Sequence, residues 1–426
     1  MKALVRYYTI AVIISLYQNI FGNFDNYHFY RAQHFASELY EPRVAKDWLT
    51  SFDIWLGAGR AKHSHNDCGK TLHLFDIYGS SHLENIGCQV PGKNLNCASD
   101  LTVTNLYLDP IPVSGLEYRY TKGSFRIAEA GFSFIQNLTR GFFVQAYLPV
   151  RSLRSKIKQC TESVPGVPLC CTPLSPFAQT FVNSFDSIMS RYNISLQSRK
   201  QTGAGDLSLL LGYTYSYQGT ATLDFIDAGA RFGVLIPTSP AYDPRYIFNM
   251  PLGYHHAGFP FLLQLSIGAF EWLTVGADIG AIIFSSRTEN IRIATAVNQP
   301  AWLRLTCTQA RVRPGPILNG VGYVKADHIC RGLSFWLAYS VAHQNKTDIW
   351  TDNSCLYNNT QTCYDPVRES WTMHVIHLMG EYDFTPLCAA WGMRLGLFYD
   401  IAAGGRRNFM ASVGGGTCGL DIAWHF

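Results

Sequence analysis

A period-two alternation of apolar and polar residues recurs along this chain and constrains its fold more than any other feature. From Leu207 onward in the segment 205–217, one parity holds only leucine and tyrosine, namely Leu207, Leu209, Leu211, Tyr213, Tyr215 and Tyr217. Successive side chains of a strand point to opposite faces of a sheet, whereas a helix repeats every 3.6 residues. The pattern therefore indicates strands with one apolar and one polar face.

About twelve such segments follow one another, each ended by a turn, and each is long enough to cross a bilayer as a tilted strand of ~9–11 residues. They are residues 47–60, 124–138, 141–155, 205–217, 221–236, 259–270, 272–286, 300–313, 330–344, 371–383, 388–401 and 411–426. Short and long connections alternate between them, except at residues 314–329 and 402–410. A lipid-embedded sheet cannot leave an open edge. The sequence therefore predicts an all-β fold, a closed antiparallel transmembrane barrel of about 12 strands with long external loops.

The composition fits that fold. Charged residues make up 15% and aromatic residues 14% of the chain, whereas a soluble protein usually carries ~25% charged residues. The mean hydropathy of +0.01 is too low for a bundle of membrane helices. The net charge of +4 is too small to favour nucleic acid as a partner. A soluble secreted β-protein stays open as the alternative fold.

The N-terminus has the pattern of a secretory signal. Lys2 and Arg6 precede a short apolar stretch that is too short to span a membrane. We expect residues 1–23 to be the signal peptide, residues 24–46 a periplasmic segment, and residues 47–426 the barrel.

Twelve cysteines suit an exported protein, and several lie in the two long external loops predicted at residues 61–123 and 156–204. Loop-closing disulfides are the interpretation we favour. Only Cys355 and Cys363 are close enough in sequence to be paired with each other; the remaining connectivity stays open.

The last strand resembles the C-terminal assembly signal of Gram-negative outer-membrane proteins. Its apolar parity ends on an aromatic residue and consists of Leu420, Ile422, Trp424 and Phe426. In that family, the barrel-assembly machinery reads such a strand. The resemblance implies a location in the bacterial outer membrane, with its lipid and that machinery as partners.

A weaker resemblance covers residues 202–240. "TGAGDLSLLLGYTY" followed by "DAGARFGVLIPTS" looks like paired strands of the meta-pathway phenol-degradation and related porin-like barrels. The matching residues are Gly205, Asp206, Leu207, Leu235, Pro237 and Thr238. The motifs are short, and they support the barrel more than any substrate.

Charged residues on the polar parity are candidates for lining the lumen. They are Asp53, Glu129, Arg151, Asp227, Arg231, Asp278, Arg394, Asp400 and Asp421. Two interpretations stay open at this point. The charges could pair across a mostly filled barrel, or they could line a water-filled constriction that sorts solutes.

The preferred functional hypothesis is a channel that passes small solutes by diffusion. The alternative is a plugged structural or surface-interaction barrel that acts through its disulfide-braced loops. A third hypothesis, a lipid-modifying enzyme, needs a serine and histidine pair at the lipid-facing rim, and no such motif is evident. We therefore expect no enzymatic activity, no cofactor and no metal site. The sequence leaves the oligomeric state undetermined.

The terminal strand yields a first prediction. Removing Phe426 should impair membrane assembly, because the assembly signal would lose its final aromatic residue. Outer-membrane fractionation and heat-modifiable gel mobility measure this. Normal assembly of the truncated chain would refute the signal, although the barrel could stand without it.

Overall fold

A computed structural model of the chain shows its alternating segments joined in one large antiparallel sheet. The residues that the structure describes are 48–77, 81–82, 117–163, 187, 190, 193–195, 198–218, 223–241, 243–246, 251–270, 272–293, 304, 307–330, 332–351, 368–384 and 391–423. The predicted signal (1–23), the periplasmic segment (24–46), the Cys355–Cys363 pair, and Trp424 with Phe426 lie outside these residues.

Eighteen strands occur in the described part of the chain. They are β1 (Leu49–His65), β2 (Thr71–His73), β3 (Ser81–His82), β4 (Glu117–Asn137), β5 (Phe142–Ser163), β6 (Lys200–Ala204), β7 (Leu207–Tyr217), β8 (Phe225–Ile236), β9 (Gly258–Ala269), β10 (Leu273–Phe284), β11 (Arg287–Arg292), β12 (Cys307–Arg313), β13 (Ile317–Cys330), β14 (Leu333–Gln344), β15 (Asp348–Thr351), β16 (Trp371–Asp383), β17 (Trp391–Arg406) and β18 (Asn408–Ala423). A single 3₁₀ turn covers Leu74–Asp76. Among the described residues, no helix is both long and apolar enough to cross a membrane.

Twelve of these strands close into a barrel, in the order β1, β18, β17, β16, β14, β13, β10, β9, β8, β7, β5, β4. Closure is complete because β1 pairs with β18 on one side and with β4 on the other, from Thr50 opposite Gln136 to Ala61 opposite Phe125. This confirms the predicted all-β antiparallel barrel of 12 strands.

The barrel has two unlike ends. Short connections such as 138–141, 270–272 and 331–332 lie at one end, which we call the turn end. At the other end, the loop end, the strands lead into the connections 66–116, 237–257, 285–316 and 345–370. Arg407 alone joins β17 to β18 at the loop end, so the connection predicted to be short there is short.

One predicted strand was wrong. The segment 300–313 was expected to span the membrane, but the spanning strand is β13, which begins at Ile317 after the Pro314–Pro316 stretch. The outward parity of β13 contains Gly320 and Gly322, which removed the apolar signal. Residues 307–313 form β12 instead, in a separate three-stranded sheet with β11 and β15.

The outer surface of the barrel is an apolar belt. Outward side chains such as Leu56, Phe261, Leu337 and Leu397 are 47–73% exposed, although no soluble protein leaves so many large apolar groups in water. Aromatic residues gather at the turn end, where Trp48, Phe142, Tyr217, Phe270, Trp272, Phe384 and Trp391 are exposed. A closed barrel with an apolar belt and an aromatic girdle spans the outer membrane.

Two of the described cysteines differ from the expectation of loop-closing disulfides. Cys68, in the turn after β1, and Cys418, on the outward face of β18, carry free thiols. Cys68 therefore does not brace the first loop.

The belt yields a second prediction. Leu397 is 73% exposed in the middle of β17, so Leu397→Arg should lower the free energy of unfolding in lipid by about 2–4 kcal/mol. Urea titration in phospholipid vesicles measures it. Leu397→Ala is the control and should cost clearly less, because no charge enters the lipid. Equal losses in the two variants would show that Leu397 does not face lipid.

Candidate functional site: the barrel lumen

Inward-facing side chains of the twelve strands form the candidate site. All nine charged residues predicted for the lumen belong to the inward parity, which alternates with the exposed belt. The registers place Glu129 opposite Arg151, and Asp400 opposite His377. Further members are Asp53, Asp227, Arg231, Asp278, Arg394 and Asp421.

A cluster of opposite charges lies in the turn-end half of the lumen. Arg394 is at its centre: Nη2 lies 2.9 Å from Asp53 Oδ1, Nε 3.4 Å from Asp421 Oδ2, and Nη1 3.9 Å from Glu381 Oε1. Three carboxylates thus surround one guanidinium. The side chains of Asp53 and Arg394 are 25% and 17% exposed, so water reaches this cluster.

A further ion pair lies next to the cluster around Arg394. Lys325 Nζ lies 2.9 Å from Asp327 Oδ2 and 4.9 Å from the ring centroid of Trp336. Lys325 and Trp336 are opposite each other on β13 and β14. We call these six neighbouring charged residues the vestibule: Asp53, Lys325, Asp327, Glu381, Arg394 and Asp421. Its described charges are four carboxylates against two cations, so the vestibule is acidic.

Farther from the turn end, charged pairs in the lumen are shielded from water. Arg151 Nε lies 3.5 Å from Glu129 Oε2, and the two side chains are 1% and 2% exposed. Arg231 donates to the amide oxygens of Gln145 at 3.3 Å and Gln264 at 2.8 Å. These contacts tie β4 to β5, and β8 to β5 and β9, across the interior.

A serine, a histidine and an aspartate form a chain of hydrogen bonds in the same layer. Ser340 Oγ lies 2.7 Å from His377 Nε2, and His377 Nδ1 lies 2.8 Å from Asp400 Oδ1. The order matches that of a nucleophilic triad. However, Ser340 is 2% exposed and faces the lumen rather than the lipid, so the site holds three strands together without an open path to a substrate.

Two segments from the loop end pack against inward-facing side chains of the lumen. The first carries Leu74, Phe75 and Ile77, all at most 2% exposed. The Phe75 ring lies 6.1 Å from that of Phe409, which in turn lies 5.7 Å from Phe125. The lumen on this side is therefore filled by aromatic side chains.

The second segment, residues 251–256, is held by Asp206. This residue lies at a break in the wall, since β6 and β7 both pair with β5 but are separated by Gly205 and Asp206. The Asp206 carboxylate accepts hydrogen bonds from the backbone N–H groups of Ser239, Tyr254 and His255 at 3.0, 2.6 and 3.1 Å.

The same segment is also bound by a side chain of the barrel wall. Arg151 Nη1 donates to the carbonyl of Leu252 at 2.7 Å, and Leu252 is fully buried. Tyr254 joins an apolar cluster of inward residues that includes Phe284 and Ile317. We refer to residues 71–77 and 251–256 together as the closing segments.

Two carboxylates outside the membrane-spanning strands have perturbed pKa values. Burial raises the pKa of Glu289, but the hydrogen bond and charge of His256 outweigh it, so the pKa lies below its usual range. The pKa of Asp243 is lowered, mainly by the hydrogen bond from Arg245. Both contributions to stability exist above the ordinary carboxyl pKa and are lost as the pH falls through the lowered values.

The other predicted residues are placed as follows. Leu420 and Ile422 of the assembly strand face outward at 40% and 36% exposure, and Asp421 faces inward. Within the described residues, no group of three or more metal-ligating side chains comes together.

Sequence reasoning missed Glu381, Lys325 and Asp327. Lys325 and Asp327 were assigned to a connection, because residues 314–329 were not predicted to form a strand. Without strand β13, their position beside Glu381 on the inward face could not be predicted. It also did not connect His377 with Ser340 and Asp400, which come from two other strands.

Comparison with known proteins does not assign the chain to a family. No family model matches the chain, and no curated protein matches its sequence. Among solved structures, an outer-membrane channel from Pseudomonas putida F1 is 10% identical at a TM-score of 0.46, over 90% of this chain and 99% of that one. The translocator domain of the autotransporter NalP from Neisseria meningitidis is 10% identical at 0.33, over 89% of each chain. A FadL homologue from Pseudomonas aeruginosa is 9% identical at 0.30, over 95% of this chain and 98% of that one.

The dry ion pair yields a third prediction. Glu129→Ala should lower the free energy of unfolding by about 3–5 kcal/mol, because Arg151 would stay buried without its carboxylate. Glu129→Ala combined with Arg151→Met should cost less than the sum of the single changes, as urea unfolding of the four proteins would measure. Asp348→Ala, which breaks the exposed pair with Arg313, is the control, and its loss should stay below about 1 kcal/mol. A loss that small for Glu129→Ala would contradict the described contact.

Proposed function

We propose that the protein is a narrow outer-membrane channel for small solutes, whose loop end is closed by the two closing segments. The observation that carries the proposal is the contrast between the two halves of the lumen. The vestibule is charged and reached by water, whereas the loop-end half is blocked by segments that belong to loops rather than to the barrel wall.

The contacts that hold the second closing segment would allow it to act as a gate. Backbone N–H groups of Tyr254 and His255 donate to one carboxylate, Asp206, and the Leu252 carbonyl accepts a hydrogen bond from one guanidinium, Arg151. A net contribution of about 1–3 kcal/mol for each bond to a charged group makes release possible without unfolding the wall. The sheet of the barrel would remain intact, because the pairing between its strands does not depend on these contacts.

Charge in the vestibule determines which solutes would be favoured. Its four carboxylates and two cations create an acidic surface in the lumen. Small cationic or dipolar solutes are therefore favoured over anions. A cation would exchange part of its hydration for the carboxylates of Asp53, Glu381 and Asp421.

A second candidate function is supported by the filled middle of the lumen. Side chains such as Arg151, His377 and Asp400 are 1% exposed, which is typical of a packed barrel interior. In this alternative the barrel is a scaffold and its loops act at the cell surface. Conductance after release of the closing segment distinguishes the two.

Release of the closing segment yields the fourth prediction. Asp206→Ala removes the acceptor for three backbone N–H groups, so the variant should open more often and for longer than the unmodified protein in planar bilayers. Its currents should be carried mainly by cations. The matched control is Asp243→Ala in the same loop, whose carboxylate binds Arg245 at the surface and should leave the currents unchanged. An Asp206→Ala barrel that folds but never conducts would favour the scaffold.

A further inference from the structure

A row of cations crosses the outer face of the barrel near its loop end. Arg60 on β1 lies opposite Arg126 on β4, Arg126 lies opposite Arg154 on β5, and Arg154 lies opposite Lys200 on β6. All four side chains are exposed. Lys62 and Lys156, two residues further along β1 and β5, are exposed as well. We call these six residues the cation ladder.

A row of like charges such as this is electrostatically unfavourable by itself. Directly opposite side chains of an antiparallel pair have Cβ atoms about 4.5–5.5 Å apart, and like charges at these positions destabilise the sheet. Among the described residues, no carboxylate lies within ion-pair distance of any member of the ladder. The repulsion therefore calls for an anionic partner beyond the described residues.

Position on the strands shows where that partner lies. The ladder occupies the outward parity of the wall itself, the same parity as the lipid-facing belt. In successive rows toward the loop end, the register gives Phe52 with Phe134, then Ile54 with Phe132, then Leu56 with Ala130, then Ala58 with Ala128, and then Arg60 with Arg126. Polarity thus rises along the outer face from aromatic to aliphatic to small to cationic residues.

Strand geometry gives the height of the ladder. From Phe52 to Arg60 the strand advances by about eight residues, which at ~3.3 Å each and a tilt of ~40° rise by about 20 Å. The apolar band of an outer-membrane barrel is ~25 Å tall. With Phe52 near the turn-end side of the belt, Arg60 lies at the level of the outer-leaflet headgroups.

Farther round the barrel, on β8, β9 and β10, apolar residues take the place of the ladder. The outward positions at the loop ends of β8, β9 and β10 are Ile236, Phe259 and Ile283, which are 37%, 57% and 61% exposed. A general requirement for cations at the headgroup level would act around the whole circumference. The ladder is therefore a local site.

We infer that the cation ladder binds the phosphate groups of lipopolysaccharide in the surrounding outer leaflet. Arginine binds phosphate oxygens through two parallel N–H donors. The ladder spans four strands, about 14 Å at ~4.8 Å per strand, which is long enough to contact a phosphorylated disaccharide headgroup along its length. The acyl chains of the same lipid would lie against the belt below. This site is independent of the channel, since its side chains point away from the lumen.

Native mass spectrometry of the full chain in neutral phosphatidylcholine nanodiscs tests the inference. The probes are bisphosphorylated lipid A and the same lipid without phosphates. The unmodified protein should bind the phosphorylated form more tightly. The triple variant R60Q/R126Q/R154Q should lose about 100-fold of that affinity, at about fivefold for each cation, and should bind both lipids alike.

Two controls keep the result interpretable. R287Q/R311Q/R313Q removes three exposed charges from β11 and β12, away from the lipid-facing wall, and should bind like the unmodified protein. R60K/R126K/R154K keeps the charge and should retain most of the preference, which separates loss of binding from loss of fold.

Three outcomes would overturn the inference. The first is equal binding of the two lipids by the unmodified protein, and the second is a triple variant that keeps the preference. The third is ladder-dependent binding of a soluble sulfated oligosaccharide without any binding of lipid A, which would assign the site to a soluble polyanion. None of these outcomes depends on conductance, so the channel proposal stands or falls separately.

Discussion

Pairing of β1 with both β18 and β4 is the contact on which the rest of the structure depends. In lipid, an unpaired backbone N–H or C=O group costs several kcal/mol, so a membrane sheet must close on itself. The closing seam runs from Leu49 opposite Ala423 to His65 opposite Asn408, and again from Thr50 opposite Gln136 to Ala61 opposite Phe125. Once it forms, strand parity is fixed around the whole circle, and one set of side chains must face lipid while the other shares a narrow lumen.

A lumen of twelve strands lies in width between the side-chain-filled interior of ~8-stranded barrels and the water-filled channel of ~16–18-stranded ones. Three kinds of group fill it: charged pairs such as Glu129 with Arg151, the hydrogen-bonded chain through His377, and loop residues such as Phe75 and Leu252. The first two join neighbouring strands and stabilise the wall. The loop residues block the passage but do not build the wall, and this difference is what makes a gated channel physically reasonable.

Much of the architecture could be predicted from the sequence, because parity is a local property. Leu207 to Tyr217 and the strand ending at Ile422 each show one apolar face, and Asp53, Arg394 and Asp421 could be assigned to the inward side from alternation alone. Strand β13 could not be found, since Gly320 and Gly322 replace the apolar residues on its outer face. The partners of His377 and the inward course of residues 251–256 depend on registers between distant strands, and no local pattern contains that information. The cation ladder was missed for the same reason: its members are scattered over residues 60–200 and become a row only through pairing.

The central claim is that the lumen is wet from the turn end and closed at the loop end. Thiol accessibility along one strand tests it most directly, in a barrel whose native cysteines are replaced. Thr417 and Ala411 share the inward parity of β18, but Thr417 lies beside the vestibule and Ala411 is 1% exposed under the closing segments. A small water-soluble thiol reagent should modify Thr417→Cys rapidly and Ala411→Cys slowly. Equal rates, or faster reaction at Ala411→Cys, would contradict the account.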